Sequence, residues 1–310
     1  MTSAFGDLTV IANPDAGGGG VRTELPDLER ALEERDLPYT LHVAESRGDA
    51  TALAARALRG GARFLVAVGG DGTVQQVVNG MFGADGRPLV SDPVLGVVAA
   101  GSGCDLVRSF GLPGDTRGAV GHLTGSNTYA FDVVKISCTG PGGEPVTRYS
   151  HNLAEAGFGA AVLRRRAALP DWTGRARSFL AFWLTFARTR LAQVTVRADT
   201  KVYEGPAFNV IVANAQFSGG GLRMSPRSFP GDGILDALVF RGPRSDAFTM
   251  LPRIYRHGDH VPDPHIHEMR AKIRVAVESD RPLPVEADGE VLGTTPVTFQ
   301  IVPRALLLKL

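Results

Sequence analysis

Two hydrophobic rhythms divide this chain. In the first half, short unbroken apolar runs alternate with stretches whose apolar positions recur every three or four residues. Residues 8–12, 39–43, 64–68 and 94–98 read as strands, the 8–12 run being closed by Asn13-Pro14. Between them, residues 23–35 carry Leu25, Leu28 and Leu32 at helical spacing, and residues 50–59 form an alanine-rich helix. Such alternation predicts an α/β domain built on an open, mostly parallel sheet, with ligands bound beyond the carboxyl ends of its strands. After Asp132 strand-like runs dominate, at residues 131–137, 194–198, 208–213, 235–240, 272–277 and 297–302, many parted by turns such as Gly140-Pro141-Gly142-Gly143. This predicts a mostly antiparallel second domain with one long helical insertion. The boundaries expected are 1–135 and 136–310, with the last strand free to return to the first domain.

A length of 310 residues agrees with two domains, and 44% hydrophobic with 21% charged residues is ordinary for a globular protein. Lys+Arg 33 against Asp+Glu 32 gives a net charge of +1, which argues against an electrostatic nucleic-acid binder. The two cysteines, Cys104 and Cys138, have no CxxC spacing, so a disulfide scaffold and a cysteine zinc site are excluded and a reducing compartment fits. No apolar stretch reaches the roughly 18 residues of a membrane span, and no secretory leader is readable. A cytoplasmic protein, at most peripheral at the inner membrane face, is expected.

The chemistry gathers at three turns. Gly69-Gly70-Asp71-Gly72-Thr73 follows a buried strand and opens a helix. Glycines let a phosphate approach the backbone, and the helix N-terminus offers unpaired N–H groups. A carboxylate beside a phosphate is repulsive unless a cation bridges them, so Asp71 points to Mg²⁺ and a nucleoside triphosphate. The plainer alternative is a tight turn with Thr73 capping the next helix. Asn13-Pro14-Asp15-Ala16, followed by glycines from Gly17 to Gly20, has the same character but alone reads as a surface loop; Arg22 is within reach of the same charge. Gly101-Ser102-Gly103-Cys104-Asp105 repeats the design. Ser102 can donate to a phosphate oxygen, Asp105 can bind hydrated Mg²⁺ or position an acceptor hydroxyl, and Cys104 reads as a small packed residue.

Asn13-Pro14, the Gly69 to Thr73 motif with Asn79-Gly80, residues 101–108 and Asp132 together resemble the catalytic domain of the diacylglycerol kinase and bacterial lipid kinase family. Residues 214–226, 232–236 and Glu286-Ala287-Asp288-Gly289-Glu290 continue the resemblance in the right order. NAD kinases and phosphofructokinases share similar glycine turns; residues 101–108 and the C-terminal half favour a lipid kinase. The resemblance implies an NAD kinase/diacylglycerol kinase-like fold, a nucleotide-binding α/β domain plus a β-sandwich-like domain, with the active site in the cleft between them. It implies ATP and Mg²⁺ as cosubstrate and cofactor, and a membrane lipid with a free hydroxyl as acceptor. Carried over by position, Asn13, Pro14, Gly17, Gly69, Gly70, Asp71, Gly72, Thr73, Gln76, Gly101, Ser102 and Gly103 bind the nucleotide. Asp71 and Asp105 organise the metal, Asp132 supports the site and Glu290 is the general base. Asp232 lies where some bacterial members hold a structural metal. Three positions depart from the family: Gln76 for Glu, Cys104 for Asn and Ser102 for Thr.

The expected function is therefore transfer of the γ-phosphate of ATP to diacylglycerol or a related lipid. The alternatives are another lipid alcohol (a sphingoid base, phosphatidylglycerol), a catalytically silent nucleotide- or lipid-binding homologue, or an NAD kinase. Sheet edges allow a homodimer without naming its interface. Phe179, Phe182, Trp183 and Phe186 fall on one helical face among arginines that include Arg164, Arg165 and Arg166. This stripe favours core packing over a membrane face. His257, His260, His265 and His267 match no zinc spacing and read as a solvated loop.

Overall fold

In the computed structural model, which describes residues 3–16, 19–46, 48–100, 104–256 and 258–310, the first-half runs become β1 (Leu8–Ala12), β2 (Tyr39–Val43), β3 (Phe64–Gly69) and β4 (Val94–Ala99). Helices α1 (Gly20–Glu33), α2 (Asp49–Arg59) and α3 (Asp71–Gly80) connect them. Next come α4 (Asp105–Phe110), α5 (Thr116–His122) and the start of β5 (Thr128–Thr139). The four strands pair in parallel in the order β4-β3-β1-β2. The end of the chain adds a fifth parallel strand beside β4, through Leu307 opposite Val94 and Leu308 opposite Leu95. Every residue of β1, β3 and β4 is buried, because crossover helices cover both faces of a parallel sheet. Leu28 and Leu32 of α1 join Ala119 and Val120 of α5 over Val10, Val66 and Val98.

Residues 1–133 with 302–310 form one unit and residues 134–301 a second. The second holds the rest of β5, then β6 (Pro145–Ser150), β7 (Leu153–Gly157), α6 (Phe158–Ala168) and, after a 3-10 turn, α7 (Arg177–Arg188). It continues with β8 (Ala192–Ala198), β9 (Lys201–Ala207), β10 (Asn209–Ala213) and the two-residue strands β11 (Phe217–Ser218) and β12 (Leu222–Arg223). β13 (Leu235–Phe240), α8 (Asp246–Thr249), α9 (Leu251–Arg256), β14 (Ile266–Ala271), β15 (Arg274–Ser279), β16 (Pro284–Ala287) and the part of β17 (Glu290–Lys309) before Val302 complete it. The antiparallel series β14-β13-β10-β7-β16 and β9-β8-β15 both meet β17 and share one apolar core that includes Val196, Val212, Val239, Val277, Val285 and Phe299. The architecture is thus an α/β domain with a mostly parallel sheet plus a β-sandwich-like domain, as the hydrophobic pattern predicts.

Two sequence expectations are corrected here. The α7 stripe is not all core. Phe182 and Phe186 pack against the cluster of Phe158, Phe208 and Phe240, while Phe179 and Trp183 are 65% and 37% exposed. The histidine segment is not a solvated loop either. His260 is fully buried with Nε2 3.0 Å from the Met224 carbonyl, and burial holds its pKa below the usual 6.5. His265 Nδ1 meets Asp246 at 2.8 Å, and His267 lies against Tyr203 on β14. His257 lies outside the described residues.

The approach of α2 to α3 depends on Gly80. A Cβ there would sit 2.3 Å from the Thr51 carbonyl oxygen and 2.7 Å from Ala54 Cβ. Helix propensity alone favours Ala over Gly by about 1 kcal/mol, whereas forcing a methyl into a packed contact costs about 1–3 kcal/mol. Gly80→Ala is therefore expected to lower the thermal midpoint; an unchanged or raised midpoint would show that α3 shifts freely.

Candidate active site

Because β1, β3 and β4 run parallel, their carboxyl ends and the turns that follow lie side by side. Backbone bonds stitch these turns together. Asn13 N–H donates to the Val68 carbonyl (3.2 Å), and Ala100 N–H donates to that of Gly69 (3.2 Å). Asn13 Oδ1 accepts from Asp15 N–H (3.1 Å), which closes the first turn over buried Pro14. Arg22 is placed 3.6 Å from Asp15 rather than at a shared anion. At Gly69 a Cβ would lie 2.4 Å from Thr73 Oγ1, so only glycine lets the turn fold this tightly. Gly70 caps α3 in extended backbone, and Gly72 is exposed in its first turn. Gly17, Gly101, Ser102 and Gly103 lie outside the described residues.

Asp71 joins two of the turns. Its Oδ1 accepts from Asp105 N–H (2.8 Å) and Leu106 N–H (3.4 Å), the first amides of α4, and from the Cys104 thiol (3.3 Å). One carboxylate from the start of α3 thus satisfies orphan donors at the start of α4. Burial, reinforced by the Asp71 charge, holds the Cys104 thiol well above its usual pKa, so it remains a neutral donor. Asp105 is 2% exposed, with Oδ1 3.6 Å from Arg108 Nε. Thr73 does not cap α3: its hydroxyl is buried and has no hydrogen-bond partner among the described residues. Gln76 Oε1 accepts from Gly48 N–H (3.2 Å) at the start of α2. Asp132, fully buried, accepts from Arg304 N–H (2.7 Å) where the chain returns to the first unit with a positive φ of 49°.

In the second unit, Asp288-Gly289 makes a two-residue hairpin turn between β16 and β17, both residues having positive φ (46° and 85°). Glu290 opens β17 directly after it and has no side-chain partner among the described residues. The turn is pinned from below. The Asp288 carboxylate accepts from the N–H groups of His151 (2.9 Å), Asn152 (3.1 Å) and Leu153 (3.0 Å) and from Ser150 Oγ (3.0 Å). It also lies 2.9 Å from His151 Nδ1. Burial pushes its pKa up, but His151 and these amides outweigh that and leave it below the usual 3.8. Two residues earlier, buried Glu286 faces Glu155 directly across the β16–β7 ladder. Burial raises both pKa values, and for Glu286 the neighbouring Glu155 charge adds to the rise. Sequence spacing gave no signal for this pair. Asp232, expected at a metal, accepts from Ile234 N–H (2.9 Å) and lies 3.7 Å from the Arg270 guanidinium.

No group of three or more His, Cys, Asp or Glu side chains able to hold a metal ion is found among the described residues. Mg²⁺ with a nucleotide does not need one, since it takes one or two carboxylates and completes its shell with phosphate oxygens and water. Asp71 and Asp105 at two neighbouring turns, with the unpartnered Thr73 hydroxyl in the first, fit that mode.

The comparisons with known proteins support a phosphotransferase. Residues 7–136 match the diacylglycerol kinase catalytic domain, and residues 152–309 match the YegS C-terminal NAD kinase beta sandwich-like domain. The chain belongs to the diacylglycerol kinase family. It is 25% identical over 296 residues to the diacylglycerol kinase of Staphylococcus haemolyticus (strain JCSC1435), covering 95% of this chain and 85% of that one. It is likewise 25% identical over 292 residues to the diacylglycerol kinase of Bacillus subtilis (strain 168), covering 94% and 91%. A crystal structure of a diacylglycerol kinase from Bacillus anthracis str. Sterne aligns with a TM-score of 0.69 and 21% identity over 99% of this chain and 97% of that one, and shares the fold.

Two expected outcomes follow from these side chains. Thr73→Val removes a buried hydroxyl that no described residue satisfies, so the thermal midpoint should hold or rise while nucleotide affinity falls about tenfold, in keeping with one lost hydrogen bond to a charged group; calorimetric titration and a melt check both. Glu286 keeps in the folded state a proton that the unfolded chain releases above the usual 4.5, so it weakens the fold as pH rises. Asp288 acts oppositely, supporting the fold above its usual 3.8 and losing that support as pH falls through its depressed folded value. Glu286→Gln should therefore stabilise the protein more at about pH 8 than at about pH 5, read from melts at both.

Proposed function

We propose that this protein transfers the γ-phosphate of Mg²⁺-bound ATP to a hydroxyl of diacylglycerol or a closely related lipid. The observation that carries this reading is the Asp71 carboxylate bridging to the start of α4, beside the buried and unpartnered Thr73 hydroxyl. Asp71 thus faces the start of α4 while the Thr73 hydroxyl is left to donate. Backbone N–H groups of residues 70–72 at the N-terminus of α3 accept phosphate charge, with Thr73 Oγ1 donating to one of its oxygens. Asp71 and Asp105 hold the cation, which would offset charge on the transferring phosphoryl group. Glu290, unpaired among the described residues at the start of β17, takes the proton from the lipid hydroxyl, and the pinned Asp288-Gly289 turn fixes where its backbone begins. No helix among the described residues is long and apolar enough to cross a membrane, so the enzyme would meet its lipid from the surface.

Family membership and the retained Asp71, Asp105 and Glu290 support this reading; Cys104 and Gln76, in place of the family's Asn and Glu, favour a silent binding homologue instead. Transfer from γ-labelled ATP into mixed-lipid micelles separates the two. The wild type should yield an organic-soluble labelled product whose chromatography names the lipid. Asp71→Asn and Glu290→Gln should each lower the rate by about a hundredfold or more. ATP binding without lipid-dependent turnover across a panel of lipid alcohols would replace the kinase with the binding protein.

A further inference from the structure

The second unit contains a cavity of about 540 Å³ between α6, α7 and the segment leading into β16. Its wall carries Arg164 and Arg165 from α6, Arg188 and Arg190 at the end of α7, and Arg281 before β16. No Asp or Glu stands among the described lining residues, and none of Arg164, Arg165, Arg188 and Arg190 has a carboxylate partner among the described residues. Five guanidinium groups around one concavity repel each other and raise the local potential, which an anion relieves. The floor is different in kind, with Phe158 and Phe208 facing the space beneath the charged wall. Thr185, 6% exposed, also lines the cavity, and its hydroxyl has no hydrogen-bond partner among the described residues. A hydroxyl so buried is expected to be bonded, so an unsatisfied one on a cavity wall is a donor awaiting a ligand.

We propose that this cavity binds a phosphate group carried on an apolar body. The guanidinium groups engage its oxygens with paired N–H donors, Thr185 Oγ1 donates to one oxygen, and the aromatic floor receives the adjoining apolar portion. None of these residues belongs to the candidate active site, and the inference stands whether or not the chain is a kinase. Thr189 donates to the Thr185 carbonyl (2.9 Å), and Arg281 donates to the carbonyl of Arg190, so the wall is braced by bonds that leave other guanidinium donors for the ligand.

The test is binding of dioctanoyl phosphatidate below its micelle-forming concentration, of inorganic phosphate, and of dioctanoylglycerol as the phosphate-free control. The proteins are the intact wild type, the Arg165→Gln/Arg188→Gln double variant and Thr185→Val. Phosphatidate should bind the wild type, about tenfold or more weaker in the double variant, as expected for losing two charge-assisted contacts. Thr185→Val should weaken binding severalfold while the thermal midpoint holds or rises, which a merely structural threonine would not do. Inorganic phosphate showing the same dependence on these residues would support the site and assign it to the phosphate group alone; a response confined to phosphatidate would support it and assign it to a lipid phosphate. Phosphatidate binding indifferent to both variants, dioctanoylglycerol binding weakened by them to the same degree, or no binding of either phosphate probe at millimolar concentration would overturn the proposal.

Discussion

One carboxylate oxygen organises the first unit's working edge. Asp71 Oδ1 is the common acceptor for two amides of α4 and for the Cys104 thiol, so the turn after β3 and the start of α4 are held together by a group belonging to neither strand. The α4 helix is only six residues long and carries no side-chain cap of its own, so its first donors depend on this outside acceptor. The parallel register brings the two turns together, and Gly69 lets Asp71 enter its helix close to the sheet. Sheet, turn and cap therefore form a chain of dependence that ends at a single side chain.

The second unit solves a harder electrostatic problem. Burying a carboxylate is unfavourable unless donors replace its water. Asp288 is surrounded by three backbone N–H groups, a hydroxyl and His151, which hold its pKa below the usual 3.8; Glu286 and Glu155, facing each other across a ladder, have theirs raised by burial instead. These opposite solutions stand two residues apart on one hairpin. Their joint effect is to fix a turn whose next residue, Glu290, is left without a side-chain partner among the described residues.

The parts of this design readable from the sequence are those with local causes. β1, β3 and β4 are buried on both faces, so they stand out as unbroken apolar runs with sharp ends at Asn13, Gly69 and Ala99. β9, reading Lys201-Val-Tyr-Glu-Gly-Pro-Ala207, exposes alternate residues and carries Pro206, so no run marks it. β7 and β14 include Glu155, Glu268 and Arg270, whose burial or pairing depends on strands far away in the chain. The glycine turns stand out by composition alone. The unpartnered Thr73 hydroxyl, the facing Glu155 and Glu286 and the Asp132 bond to Arg304 have only long-range causes, and no spacing foretells them. The α7 stripe shows the same limit: a 3.6-residue period puts four aromatics on one face but does not say how wide the neighbouring core is, and that core takes Phe182 and Phe186 only.

The two unusual residues near the glycine turns acquire a physical meaning from their partners. An Asn at position 104 could donate to Asp71 and accept from a neighbour, whereas a thiol does both only weakly. The surrounding burial compensates by keeping Cys104 protonated, so the single donor that Asp71 needs is always present. Gln76 likewise replaces a charge with an amide, yet its oxygen accepts from Gly48 N–H at the start of α2, a bond that needs no net charge. A glutamate there would bring a second negative group to the helix that begins with Asp71, and in the absence of a cation the two would repel. Both side chains thus hold the turn through hydrogen bonds made within the protein. The geometry of Asp71 is accordingly set by the protein itself, through the Asp105 and Leu106 amides and the Cys104 thiol.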